Sequence, residues 1–186
     1  IDGSTNFEIN EWLQNTPQPA YRKWVFERDK GISDAFNKGI QHATGSLIHI
    51  LTSADIYFSS TVIENVLGFF EINPSIQWAS GNIFMKRGGI WVNIGVPFDA
   101  GQLYKGMRSV SHPTWFLKKD LYQKVGNFSL DFKIAMDYDL LCRLKNEPYA
   151  YMDQTIVHFD DGGVSTNQYL KSLKEKNFKL AILSNG

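Results

Sequence analysis

The sequence predicts an α/β domain built on a mixed, mostly parallel sheet with helices on its faces, and three observations carry that prediction. Residues 32–43 place Ile32, Ala35, Phe36, Gly39, Ile40 and Ala43 at i, i+3, i+4, i+7, i+8 and i+11, one apolar stripe at helical period. Gly45 then stops the helix, and residues 46–51 form a short apolar run of strand length. Helix and buried strand at this spacing make half of a βαβ unit. Finally, Asp2, Asp29 and Asp55 each stand just past a candidate strand end. In open α/β sheets ligands bind outside the carboxyl ends of the strands, so parallel neighbours would bring the three acids to one crevice. Capping of turns and helices is the alternative use of each.

Taken in order, residues 1–6 read as a strand end and a turn, with Gly3 and Ser4 as turn formers. Residues 7–13 form a short helix with Thr5 or Asn6 available as its cap, residues 16–19 break it, and residues 21–26 read as a strand. Residues 60–72 are a second good helix, in which Thr61 and Glu64 fit a capping box and Pro74 lies beyond the end. Residues 76–85 and 89–94 alternate like strands, joined through Arg87, Gly88 and Gly89. Residues 97–107 are polar and loop-like. Asp137 heads a helix whose buried face is Leu140, Leu141 and Leu144, and residues 149–159 form a final strand. The Lys-rich residues 166–183 make an amphipathic terminal helix, expected as a solvated face, with a docking or membrane-facing surface as the alternative.

The chain has 186 residues, 43% of them apolar and 14% aromatic, which suits one domain with a sizeable core and excludes a disordered class. Nineteen basic and nineteen acidic residues balance, so the footprint of a nucleic-acid binder is missing. No apolar run approaches the ~20 residues that cross a bilayer. Cys142 is the single cysteine; it reads as core, and a reducing, cytoplasmic compartment fits.

The run from Glu27 to Gly45 resembles the core of the family 2 glycosyltransferases, nucleotide-sugar-dependent enzymes of the GT-A fold. Their bacterial polysaccharide-type members share a pattern close to E-x-D-x-G-I-x-D-A-x-N-K-G-I-x-x-A-x-G. Here it stands as Glu27, Asp29, Gly31, Ile32, Asp34, Ala35, Asn37, Lys38, Gly39, Ile40, Ala43 and Gly45. A second stretch resembles the family's acceptor side, with His112, Phe116, Gly126, Phe128, Asp131, Asp137, Asp139, Leu140 and Arg143 in place; Gly162, Gly163 and Ser165 match a late G-G-x-S turn. The resemblance implies a Rossmann-like GT-A sheet over residues 1–186, with a nucleotide-sugar half at about 1–58 and an acceptor half at about 76–165. It implies donor contacts from Asp2, Asp29, Asp34, Asn37, Lys38 and Ser53, a catalytic base at Asp137, and acceptor-orienting roles for His112 and Asp139. In the family the segment at Ile1 and Asp2 ends a second strand, so a chain lacking the first strand and helix is expected.

The chemistry so implied is inverting transfer of a sugar from a nucleotide-diphosphate sugar to a glycan or lipid-linked acceptor, in cell-surface polysaccharide synthesis. Leaving-group charge must be stabilised, the acceptor hydroxyl must lose its proton to a positioned base, and both substrates must be held in line. Mg²⁺ or Mn²⁺ bridging phosphates to hard oxygen ligands meets the first need. Asp55 is the expected ligand, and His158, at a strand end, a candidate for a further one. The family's acidic turn reads N-S-D-D, whereas the four positions here are Thr52, Ser53, Ala54 and Asp55. With Ala54 in place of the usual metal-binding Asp, weak metal use is expected. A protein held peripherally at the inner face of a membrane fits the implied acceptor.

Two other readings compete. Ala54 favours a catalytically degenerate nucleotide-sugar or glycan-binding domain, while Asp137 disfavours it. A nucleotidyltransferase-like protein would want a Gly- and Lys/Arg-rich phosphate loop near the start, and none is visible.

Overall fold

A computed structural model of the chain describes residues 1–3, 7–52, 55–107, 110–159 and 167–184. The elements are α1 (Glu8–Asn15), α2 (Ile32–His42), β1 (Leu47–His49), β2 (Ile56–Tyr57), α3 (Val62–Ile72), β3 (Trp78–Arg87), β4 (Ile90–Ile94), β5 (Phe116–Lys118), α4 (Lys119–Val125), α5 (Met136–Arg143), β6 (Tyr149–His158) and α6 (Tyr169–Ser184). Two short 3-10 segments, Ala100–Lys105 and His112–Thr114, lie between β4 and β5. Part of the expected polar loop is thus ordered, its turn capped where Asp99 Oδ1 accepts the Gly101 N–H at 2.8 Å.

The six strands form one mixed sheet in the order β1-β5-β3-β6-β2, with β4 paired to β3. The mixed α/β class is the one the sequence predicts; its mostly parallel pairing is corrected. Among the described strands only β3 and β6 pair in parallel, and the other four pairings are antiparallel. For β3 and β4 a short connection is the reason. Gly88 (φ 58°) and Gly89 (φ 85°) close β3 directly onto β4, and so tight a turn can join only antiparallel strands. The expected strand at residues 21–26 is reduced to an isolated parallel bridge between Asp2 and Phe26, outside the six-stranded sheet.

Two apolar clusters sandwich the sheet. Val62 and Val66 of α3 pack with Ala79, Ile83, Ile156 and Val157 on one side. On the other, Trp78 meets Trp115 and Tyr149, and Leu140, Leu141 and Leu144 are buried as expected. Cys142 is core. The capping box expected at α3 does not form, since Thr61 is itself helical in backbone (φ −94°, ψ −2°) and makes no side-chain cap. Helix α6 is not simply a solvated rod. Ser172 is buried, Leu180 packs on the core, and Glu175 and Lys179 bind α5.

Candidate active site

Helix α2 is the scaffold on which the site is assembled. Its N-terminus follows Gly31, whose φ of 123° suits glycine. Asp29 Oδ1 accepts the Gly31 N–H at 2.9 Å, and Asp34 Oδ2 accepts the Lys30 N–H at 2.9 Å. Two carboxylates thus serve free donors at the positive end of the helix. Asp29 also lies against Gly3, so closely that a Cβ there would collide with its carboxylate. Asp2 is beside it in chain pairing, donating its N–H to Val25 O at 2.9 Å and accepting the Glu27 N–H at 3.1 Å. Asp2 and Asp29 are therefore brought together.

Other predicted donor contacts are committed within the protein. Lys38 Nζ reaches Glu27 at 3.0 Å, Asp34 at 3.3 Å and the Arg28 carbonyl at 3.0 Å. Glu27 first, then Asp34, holds the Lys38 ammonium above its ordinary pKa, and the Lys30 N–H followed by Lys38 holds Asp34 below its own. Asn37 accepts the Phe128 N–H and donates to the Phe128 carbonyl, both at 2.9 Å, so its amide clamps the loop leading to α5. A cavity of about 520 Å³ between α2 and α4 touches Asp34, Asn37 and Lys38, but neither Asp29 nor Asp137 lines it. Ser53, Ala54 and the G-G-x-S turn lie outside the described residues.

Beyond β1 the chain turns at Thr52, whose carbonyl accepts the Asp55 N–H at 3.1 Å and whose hydroxyl donates to Asp55 Oδ2 at 2.6 Å. Asp55 is 4% exposed. His49, which the sequence reading passed over, is the hub of this edge. Its Nε2–H donates to the Pro113 carbonyl at 2.8 Å, so its Nδ1 accepts the Tyr57 hydroxyl at 2.9 Å. Burial holds His49 below its ordinary pKa, which suits that neutral tautomer. A histidine inside an apolar strand was the available signal.

His112 stacks on Phe36 of α2 at 5.5 Å and meets Trp115 and Phe128 edge-on. Burial first, then the field of His49, pushes its pKa down to about 3. It is neutral at physiological pH and cannot bind phosphate as a cation. Asp139 is placed differently from the expected acceptor-orienting role. It is 3% exposed and receives Lys179 at 2.6 Å and Arg143 at 2.8 Å. Arg143 also donates to the carbonyls of Val125, Gly126 and Asn127, closing the end of α4.

Asp137 stands in the first turn of α5. The loop that delivers it is held to α2 by Asn37 and by the Ser33 hydroxyl, which donates to the Phe132 carbonyl at 3.2 Å. Ala135, the residue capping α5, has no side-chain acceptor; Glu175 of α6 substitutes, its Oε2 accepting the N–H of Ile134 and of Ala135, each at 2.9 Å. Asp137 Oδ1 accepts the Tyr138 N–H at 2.7 Å. Burial outweighs that bond and the field of Lys176, and raises the carboxyl to about 6. At pH 7 roughly nine in ten such groups are ionised, yet each remains basic enough to take a proton.

Among the described residues the expected ligands Asp55 and His158 are not part of a larger cluster of metal-ligating side chains. Among the described residues no group of three or more His, Cys, Asp or Glu side chains could hold an ion. His158 faces Phe84 and Trp91 and pairs in the sheet with Ile56, while both nitrogens of His49 are engaged within the protein. Asp55 contributes one carboxylate, already accepting the Thr52 hydroxyl. Hard divalent cations want about six oxygens, so these residues alone do not make a metal centre.

No family model matches the chain. Its curated relatives are named glycosyltransferases. An uncharacterised glycosyltransferase of Mycobacterium tuberculosis (strain H37Rv) is 30% identical over 174 residues, covering 90% of this chain and 64% of the relative. A PGL/p-HBAD biosynthesis glycosyltransferase of Mycobacterium bovis (strain BCG) is 25% identical over 157 residues, covering 79% and 59%. The chain thus spans less than two thirds of these relatives' length. Among solved structures, the mannosyltransferase PcManGT from Pyrobaculum calidifontis, in complex with GDP-Man and Mn²⁺, has a TM-score of 0.62 at 13% identity, over 96% of this chain and 50% of that one. Staphylococcus aureus TarS, residues 1–349, gives 0.61 at 14% identity, over 96% and 53%. At such identities the likeness is one of fold, and that fold is shared with a sugar transferase.

Proposed function

We propose that the chain is the nucleotide-sugar-using part of an inverting glycosyltransferase, moving a sugar from a nucleotide-diphosphate donor to a glycan or lipid-linked acceptor in cell-surface polysaccharide synthesis. The setting that fits is the cytoplasmic side of the membrane; among the described residues no helix is long and apolar enough to cross one. The observation that carries the reading is Asp137, a half-buried carboxylate with its pKa raised to about 6, in the first turn of α5 beyond a loop tied to α2, the helix whose N-terminus Asp29 caps. The names of the relatives support the transferase class.

In this reading the Asp137 carboxylate takes the proton of the acceptor hydroxyl as its oxygen bonds to the anomeric carbon. The bond from that carbon to the diphosphate oxygen breaks, and the nucleoside diphosphate leaves with the electron pair. One displacement inverts the anomeric centre and needs no protein nucleophile. Asp2 and Asp29, side by side at the start of α2, are assigned to the nucleoside through its hydroxyl and N–H donors. His112, neutral, packs Phe36 of α2 against Trp115 and Phe128 rather than neutralising phosphate. A divalent ion, where the donor brings one, would stabilise leaving-group charge; the described residues offer it Asp55 alone.

The test is Asp137→Asn with UDP-, GDP- and dTDP-sugars. Transfer should fall by ~10²–10⁴-fold while donor affinity holds, since the base acts on the acceptor. An unchanged rate, or lost nucleotide binding, overturns the assignment. The second reading, a binding domain without turnover, is favoured by Ala54 in the acidic turn. It predicts donor binding with no transfer by the wild-type protein.

A further inference from the structure

At the far end of β3 an aromatic cluster lies open on the sheet. Sheet register sets it on one face: Phe84 stands opposite Asn93 of β4 and His158 of β6, and Trp91 stands opposite Lys86, two pairs further along the hairpin and so on the same side. The Trp91 and Phe84 rings are parallel within 7°, their centres 5.1 Å apart. Phe58, just past β2, meets Phe84 edge-on at 5.4 Å, and His158 leans on Trp91 at 4.7 Å. Trp91 is 49% exposed and Phe58 50% exposed. A row of polar groups continues the surface: the Thr155 hydroxyl donates to Asn93 Oδ1 at 3.0 Å, Asn82 donates to Asp153 at 3.2 Å, and the Tyr151 hydroxyl donates to Asn82.

We propose that Trp91, backed by Phe84 and flanked by Phe58 and His158, is a stacking platform for a pyranose ring of the acceptor saccharide, with Asn93 and Thr155 as hydroxyl partners. The assignment rests on the transferase reading and names its acceptor class. A pyranose carries axial C–H groups on one face, whose partly positive hydrogens suit the negative face of an indole. Its rim of hydroxyls needs planar amide and hydroxyl partners, which this row supplies. Phe84 holds the indole flat, so little rotamer freedom is lost when a ring settles on it. The place fits as well. His158 pairs with Ile56, the residue after Asp55, so the platform begins beside the Thr52–Asp55 turn and runs outward along an open hairpin. An extended saccharide can lie there and leave the site freely.

The experiment is saturation-transfer NMR and calorimetry without nucleotide, using cellotetraose, mannotetraose and chitotetraose as probes. Wild type, Trp91→Ala and Trp91→Phe are compared, each checked for folding by its melting temperature. At least one probe should bind wild type through ring C–H protons, Trp91→Ala should weaken it about tenfold or more, and Trp91→Phe should recover part of the loss. Binding that ignores both substitutions overturns the platform, as does binding of no probe. Trp91-dependent self-association in sedimentation, without saccharide binding, assigns the patch to a second copy and also overturns it. Failure of the transferase reading looks different: probes would bind at Trp91 while no nucleotide sugar is ever turned over.

Discussion

In Asp137 two effects pull in opposite directions and burial wins. A helix N-terminus and the Tyr138 N–H both favour the carboxylate, yet removal from water brings the group to about 6. A base acts when deprotonated, so transfer should rise about tenfold per pH unit below pH 6 and level off above it. A pH series of kcat/KM checks this, and the residual rate of Asp137→Asn should lack the break. A wild-type break near pH 4 would place the titration on an unburied carboxylate. As a candidate, Asp137 was conspicuous in the sequence because it sits in a dense spaced pattern. The roles of its neighbours were not legible there: Asp139 and Asn37 belong to the same patterns, but one is ion-paired to α6 and the other clamps Phe128. Spacing marks a position as constrained without saying whether substrate or backbone constrains it.

Helix α5 depends on elements far from it in sequence. Its cap comes from Glu175 and its Asp139 is neutralised by Lys179, so α6 completes it from some forty residues downstream. Asp139→Asn should destabilise the fold by about 3 kcal/mol, since a buried pair is broken from one side. Urea denaturation measures this, with donor affinity per folded molecule unchanged. Lost acceptor affinity at full stability would instead return Asp139 to the orienting role read from the sequence. The sheet has an equally specific demand at Gly81, where β3 shifts register against β6. A Cβ there would meet Ile156 Cγ1 at 2.6 Å and the Gln154 carbonyl at 2.7 Å. Gly81→Ala should cost about 1–3 kcal/mol, because the backbone has to move. A melting temperature matching wild type would show that the two strands can separate at no cost.

For the molecule as a whole, metal use is the sharpest open consequence of the donor set. With Asp55 as the one carboxylate of the acidic turn, the protein alone should bind Mn²⁺ weakly, and GDP or UDP should tighten it by adding phosphate oxygens. Ala54→Asp should gain about ten- to a hundredfold, the net of a new charge contact and its desolvation. Calorimetric Mn²⁺ titration of both proteins with nucleotide decides it; equal affinities would remove position 54 from the ion's surroundings. By itself the sequence determined what is local: the amphipathic run that becomes α2, the strand behind it, the buried face of α5, and the acids at turns. Each follows from period, turn chemistry or spacing within a few residues. Only the tertiary structure decided the pairing directions, the reduction of residues 21–26 to one bridge, the hub at His49, the service of α6 to α5, and the open aromatic face at Trp91. These are contacts between residues far apart in the chain, and nothing in a local pattern states which distant partner will satisfy a given side chain or strand edge.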